Sequence, residues 1–362
     1  MALIHIDILT PKQALLFDEV AKRLEASGHE ILATTRRYRE VEDLLRMRRR
    51  RAITVGEYGG ATLEGKLEAS LKRTLSLAKL LENRRPEVSL SFSSPEAART
   101  NFGLGVPHIV VNDSPHSEAV AKLTIPLSRK LLTPYVIPLR LWLKLGASRD
   151  MIVRYKALDP IAWLRSYKVD PTVLEKLNLR ADRPIITLRT EETYASYLLS
   201  ESKKTQTFAI IEGLRRELKG EAQMVVIPRY DDHAPILKER FGGDIIIPEG
   251  TVDGPSLLAF TSIFIGGGGT MTAEAALMGV PSFSCYPSEP TSVESFLVKK
   301  GLIWHPTNAG VMVKMVRDVL RDLTRYKERS KAKAERLISQ MEDPVEKIKN
   351  TVFEYMPSPA RR

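Results

Sequence analysis

A single cysteine, Cys285, stands among 362 residues, which excludes an intrachain disulfide and any zinc site built on thiolates. Histidine is nearly as scarce. The six (His5, His29, His108, His116, His233 and His305) are scattered without H-x-x-x-H spacing, so no metal site is expected. Long apolar runs are missing too: the uncharged stretch 254–273 carries four consecutive glycines and several hydroxyl residues, a poor membrane span. The amino terminus lacks a basic region followed by an apolar core and cleavage site, and the expectation is a cytoplasmic chain. Neither a short-period repeat nor a low-complexity tract is present. What remains is globular in composition, 43% hydrophobic and 27% charged, which excludes wholesale disorder. The length suits two domains.

Charge is unbalanced. Lysine and arginine total 55 against 44 acids, a net charge of +11, and eight of the arginines fall between Arg36 and Arg51. Such a patch suits an anionic surface or a phosphorylated substrate. It equally suits a solvated helix end whose cations complement the dipole. Peripheral membrane contact through Arg46–Arg51 is one expectation; nucleic acid is not expected, because no nucleic-acid module is recognisable. The segment from Leu131 to Leu145 is apolar, basic and aromatic, but its prolines favour a buried strand followed by a core helix over a membrane-surface helix.

Strands and helices alternate. Leu3–Leu9 reads as a buried parallel strand. Thr10, Pro11 and Gln13 then combine an N-cap, a proline at the first helical position and a capping box. Gly28 ends that helix, and Glu30–Thr34 is the next strand. Leu63, Leu67, Leu71, Leu75 and Ala78 recur at helical spacing. Strands follow at Glu87–Phe92 and Pro107–Val111, with a helix at Ser94–Phe102 between them. After connecting segments near 167–183 a second series begins: Pro184–Leu188, a helix Thr205–Leu218, then strands Ala222–Ile227, Asp244–Ile247, Ser262–Ile265 and Val280–Ser284. Helical segments close the chain between Ala309 and Phe353. This order implies parallel sheets covered on both faces.

The segment Ile265–Pro281 is the most informative. A strand runs into Gly266–Gly269 and then directly into a helix beginning near Thr270 or Thr272, with Glu274 one turn in. Glycines let backbone N–H groups approach an anion, and the helix terminus favours negative charge. The pattern matches neither the Walker P-loop nor the dinucleotide fingerprint with its distant ribose acid.

This segment resembles the nucleotide-sugar site of the GT-B superfamily. There, UDP-N-acetylglucosamine 2-epimerases carry a serine–glycine–glycine turn before a helix with a glutamate. The lipid II-forming glycosyltransferase carries a comparable turn and glutamate. The resemblance implies that Gly267, Gly268, Gly269 and Thr270 meet a diphosphate, with Met271 and Thr272 beside it and Glu274 on the ribose. A nearer resemblance is to the prokaryotic family called domain of unknown function 354, itself epimerase-like. It rests on Asp7–Pro11, Ser93–Ala97, Asn112–Asp113, Asp253–Leu258 and the glycine segment, in order, across about residues 3 to 305. The implied fold is α/β and GT-B-like, two doubly wound Rossmann-like domains facing across a cleft. The expected division is 1–166, a linker 167–183, 184–341, and a carboxyl-terminal helix and tail 342–362 packing back on the first domain.

The chain departs from the epimerases at three places. Lys12 and Gln13 stand where their first loop presents an arginine. Asn112 to Glu118 replaces their histidine–x–glutamate with different spacing. Arg189, Thr190, Glu191 and Glu192 keep an arginine and acids but lack the histidine of their second domain. Asp113, His116 and Glu118 are the catalytic candidates, since a carboxylate beside an imidazole supports a general base. Arg189 and Arg229 are candidates for the phosphates. The first expectation is a glycosyltransferase using a nucleotide-sugar, a UDP-sugar by the resemblance, with an acceptor that could be lipid-linked and with no obligatory metal or other cofactor. The alternatives are an epimerase working through Asp113, His116, Glu118 and Glu191, and a non-catalytic binder of anionic surfaces or nucleic acid on the same scaffold.

Overall fold

Strand Leu3–Ile8 (β1) is buried at five of its six positions and has a parallel neighbour on each side, which is why it runs apolar instead of alternating. It belongs to a seven-stranded sheet with Glu30–Arg37 (β2), Ile53–Glu57 (β3), Val88–Ser91 (β4), His108–Val111 (β5), Lys130–Pro134 (β6) and Ile152–Tyr155 (β7). The order is β3-β2-β1-β4-β5-β6-β7, and every pairing is parallel. The computed structural model describes residues 1–191, 206–229, 233–286 and 288–356. Within them the chain forms two compact units: Met1–Trp163 with the stretch from Glu342 onward, and the intervening chain from Leu164 to Met341.

Local signals act as expected in most places. Pro11 opens the helix Pro11–Ala26, and Gly28, at φ +85°, turns the chain into β2. The capping box forms differently. The Thr10 side chain makes no cap bond, and Gln13 Oε1 instead accepts from the Leu9 N–H at 2.6 Å while its amide donates to the Phe92 carbonyl at 3.3 Å. Gln13 therefore ties the end of β1 to the end of β4. The apolar repeat beginning at Leu63 does build a helix, Leu63–Arg84, but its buried residues are Arg73, Leu77 and Leu81. Arg73 enters the core because its guanidinium meets Asp7 through two hydrogen bonds of 2.6 and 3.0 Å, a paired geometry that offsets desolvation. Residues 131–134 are buried in β6, and the short helix Leu139–Leu143 buries Trp142, whose indole N–H donates to Thr133 at 3.1 Å, while Pro138, Arg140 and Lys144 are exposed. The helix Pro344–Phe353 is capped by Asp343 and packs on Pro11–Ala26, where Arg23 pairs with Asp343 and Glu346.

The second unit holds Ile185–Arg189 (β8), Gln223–Ile227 (β9), Ile263–Gly266 (β10), Ser282–Ser284 (β11) and Ile303–Trp304 (β12). They form a parallel sheet ordered β12-β11-β10-β8-β9. Its core joins Leu188, Ile265 and Phe283 to Leu214 and Val316 of the helices Thr207–Leu218 and Ala309–Arg321. The start of the expected helix at Thr205 lies outside the described residues. The expected strand at 244–247 reduces to isolated bridges, Val225 to Ile246 and Gly242 to Ile245. Gly243 at φ +88° before it and Pro248 after it leave no length for a ladder. Residues 167–183 are no free linker. Val173 and Leu179 are buried with Ile185, Val225 and Leu257, and the Asp170 N–H donates to Ser256 at 2.8 Å.

Candidate functional site

In an open parallel sheet the ligand position is the carboxyl end of the strands where the order reverses. In the first unit that point lies between β1 and β4, and Lys12, one residue into the helix that follows β1, occupies it. Its ammonium lies 2.5 Å from Asp113, just past β5, 2.5 Å from Asp159, beyond β7, and 4.2 Å from the centre of the Phe92 ring at the end of β4. The Tyr155 hydroxyl donates to Asp159. Asp113 also accepts from the Ser114 hydroxyl at 2.7 Å.

One cation thus serves two carboxylates, Asp159 buried and Asp113 half-buried, and their protonation separates. Burial opposes the charge on Lys12, but the two carboxylates outweigh it and hold its pKa above the ordinary value. Burial would raise Asp113 as well; Lys12 overrides it and leaves that carboxyl below its ordinary range. Asp159 goes the other way, pushed up by burial and by Asp113 despite Lys12. Two carboxyl groups with divergent pKa values on one cation form an acid/base arrangement. His116 is exposed in the loop after β5, where partial desolvation lowers its pKa against the pull of Asp113. Glu118 is not part of this cluster. It opens the helix Glu118–Thr124, exposed and paired with Lys122 at 2.9 Å.

The second unit reverses its strand order between β8 and β10, and the glycine run leaves β10 there. Each glycine has its own reason. A Cβ on Gly266 would meet the Thr272 hydroxyl at 2.5 Å, and one on Gly267 would meet the Glu191 backbone at 2.5 Å. Gly268 and Gly269 have φ of +82° and +84°. Gly269 combines its φ with ψ −161°, a region essentially closed to other residues, and it is the N-cap of the helix Thr270–Leu277. The first-turn N–H groups of Thr270, Met271 and Thr272 have no partner among the described residues. The Thr272 hydroxyl is buried and unpartnered among them as well. Glu274 is buried in the same helix.

Arg189 ends β8, half-buried, and donates to the Pro228 carbonyl at 3.1 Å; the Gly267 N–H returns to the Arg189 carbonyl at 3.3 Å. Arg229 follows β9, exposed, with its N–H on Thr190 at 2.8 Å. Glu191 is engaged as a helix cap: it accepts from the Gln206 N–H at 2.9 Å and from the Thr207 hydroxyl. Glu192 lies outside the described residues.

Two groups escaped sequence reasoning. Asp159 follows a strand that no motif marked. Glu294 lies in a T-x-x-E pattern whose threonine does cap the helix Ser292–Lys299, yet its carboxyl turns inward beside Gly268. It is buried, and neither oxygen is hydrogen-bonded among the described residues. Burial raises its pKa, with Ser284 and His305 opposing. The arginine patch is partly neutralised within the first unit: Arg48 reaches Asp18 and Glu19, Arg50 reaches Asp18 and Glu25, and Arg46 reaches Asp43. Among the described residues no helix is long and apolar enough to cross a membrane.

A family model described as protein of unknown function (DUF354) matches residues 3–357. An uncharacterized protein of Methanocaldococcus jannaschii is 30% identical over 322 residues, 88% of this chain and 91% of that protein. Among solved structures, S. aureus MnaA in a co-structure with UDP is similar with a TM-score of 0.75 at 16% identity, over 98% of this chain and 97% of that one. The M. jannaschii UDP-GlcNAc 2-epimerase in complex with UDP-GlcNAc and UDP gives 0.70 at 14%, over 97% and 99%. The glycotransferase of kitacinnamycin gives 0.64 at 13%, over 98% and 99%. The likeness is one of fold: two Rossmann-like domains of the GT-B type.

Proposed function

The chain belongs to the DUF354 family, and on that premise we propose that it is an enzyme acting on a nucleotide-sugar, of glycosyltransferase type. The observation that carries this reading is the glycine turn at the β8/β10 reversal, with Gly269 in glycine-only backbone and three helix N–H groups open toward it. A diphosphate there gains the helix dipole and unpartnered donors, which stabilise it as a leaving group while charge develops. Glu274 takes the ribose. Arg189, with Arg229, offsets the phosphate charge, so no metal is required. The similarity to structures holding UDP and UDP-GlcNAc makes uridine the base to test first.

In the first unit, His116 is the base that accepts a proton from an acceptor hydroxyl. Asp113 stabilises the imidazolium, and Lys12 holds Asp113 and Asp159 in place. Transfer is preferred to epimerisation because two acid/base candidates of the epimerase reading are engaged elsewhere: Glu118 with Lys122 in solvent, and Glu191 as a helix cap. The test is calorimetric titration of the parent and Glu274→Ala with UDP-GlcNAc, followed by NMR of the nucleotide-sugar incubated with enzyme alone. Binding that weakens at least tenfold in the variant, with the sugar unchanged in the absence of acceptor, is expected. Inversion at C2 of the sugar would establish the epimerase instead, and absence of binding by the folded parent would remove the UDP-sugar reading.

A further inference from the structure

The helix Leu63–Arg84 has no buried residue before Arg73. Its first ten residues present Leu63, Leu67 and Leu71 to solvent, and Leu75 continues the row; the four are 59%, 62%, 63% and 61% exposed. Isolated exposed leucines need no explanation, but four in register over about 18 Å of helix form a contiguous apolar stripe of the kind that marks an association surface. Residues four apart form one ridge, the row that interdigitates in the commonest class of helix pairs.

We propose that this stripe is where a second copy of the chain docks, its own Leu63–Arg84 helix running antiparallel. The row beside the leucines selects that occupant. It reads Glu64, Glu68, Lys72, Ser76, acidic in its first half and basic at Lys72. All four are exposed, and Glu68 and Lys72 pair with each other at 2.5 Å within the helix. In an antiparallel pair related by a two-fold axis, the row meets its own reversed copy. With the axis level with residue 70, Glu68 faces Lys72 of the other chain in both directions, as an isologous contact requires, and Leu71 sits between Leu67 and Leu71 of the other chain, ridge into groove. A lipid surface suits this face less well, because interfacial helices carry lysine and arginine beside their apolar stripe, not paired glutamates. One helix pair covers less than the roughly 800 Å² per partner of a stable interface, so the dimer dissociates in the micromolar range.

Sedimentation velocity on the full chain from 1 to 200 µM tests this. The parent shifts from monomer to dimer across the series. Leu67→Glu combined with Leu71→Glu stays monomeric with unchanged circular dichroism and melting temperature. Glu68→Lys and Lys72→Glu each weaken association at least fivefold, and an equimolar mixture of the two restores it, because the heterodimer pairs opposite charges on both sides of the axis. A parent that is monomeric at 200 µM, a double leucine variant that still dimerises, or a mixture no better than its components would each overturn the proposal. So would a monomeric parent that floats with vesicles containing 30% phosphatidylserine and loses flotation in the double variant, an outcome that assigns the stripe to a membrane.

Discussion

Both sheets solve the same problem at the point where strand order reverses, but with different materials. The first unit places charged side chains there: Lys12 between Asp113 and Asp159, backed by Tyr155. The second removes side chains and leaves backbone: four glycines, three open N–H groups and a buried Glu274. A side-chain site can move protons, and its pKa values are displaced in opposite directions. A backbone site holds an anion without titrating. On the reading proposed above, proton transfer belongs to the first unit and phosphate binding to the second.

Removing the shared cation is the harshest way to break this contrast. Lys12→Met strands the buried Asp159 and the half-buried Asp113, a change of about 3–5 kcal/mol when one partner of a buried ion pair is lost, read from urea unfolding at pH 7. Without Lys12 both carboxyls titrate above their unfolded value. At these two groups the folded variant then binds more protons than the unfolded chain, so its stability deficit against the parent narrows as pH falls from 7 toward 5. A variant as stable as the parent would show that the cluster is not closed around Lys12.

Gly269→Ala is next in size and should act on the other site alone. No atom lies within 4 Å of the added Cβ, so the cost is backbone conformation, about 1–3 kcal/mol. UDP-GlcNAc affinity should fall by roughly ten- to a hundredfold, whereas Lys12→Met, where it folds, should leave that affinity unchanged. Equal loss in both variants would erase the division of labour.

The units should also respond oppositely to acid. His5 and His108, buried in the first sheet, are lowered from 6.5 to about 4 and about 3, burial being the main cause in each. The unfolded chain takes up protons below pH 6.5 that the folded one refuses. Their contribution is complete above 6.5 and is lost as pH falls toward those folded values. His108→Gln should flatten part of that slope in thermal melts between pH 6.5 and 4. Glu294 has the reverse sign: its raised folded pKa costs stability as pH climbs through that value. Glu294→Gln should therefore melt higher than the parent at pH 8, with the difference closing below pH 4.5. The smallest effect belongs to Glu118→Gln, exposed and paired with Lys122, which should change neither melting temperature nor nucleotide-sugar affinity.

Legibility differs between the sites for a physical reason. The glycine turn is contiguous, and each of its residues acts through local backbone geometry, so strand, turn and helix start could be read directly. The Lys12 cluster draws on positions 12, 113, 116 and 159, and only the parallel sheet brings those strand ends together. Lys12 stood out merely as a departure from an arginine, and Asp159 had no motif. The Leu63 repeat shows the limit of periodicity: spacing specifies a helix with an apolar face but cannot say which face meets the core, and here Arg73 points inward because Asp7 waits for it.

By itself the sequence determined the alternation of strands and helices, the absence of an intrachain disulfide and the glycine turn that opens a helix, since all three depend on composition or on neighbours in the chain. Tertiary structure alone decided that Asp113 and Asp159 share one cation, that Glu118 faces water, that Glu191 caps a helix and that four leucines face outward. Those facts depend on which distant segments meet, and burial assigns their charges only after they have met.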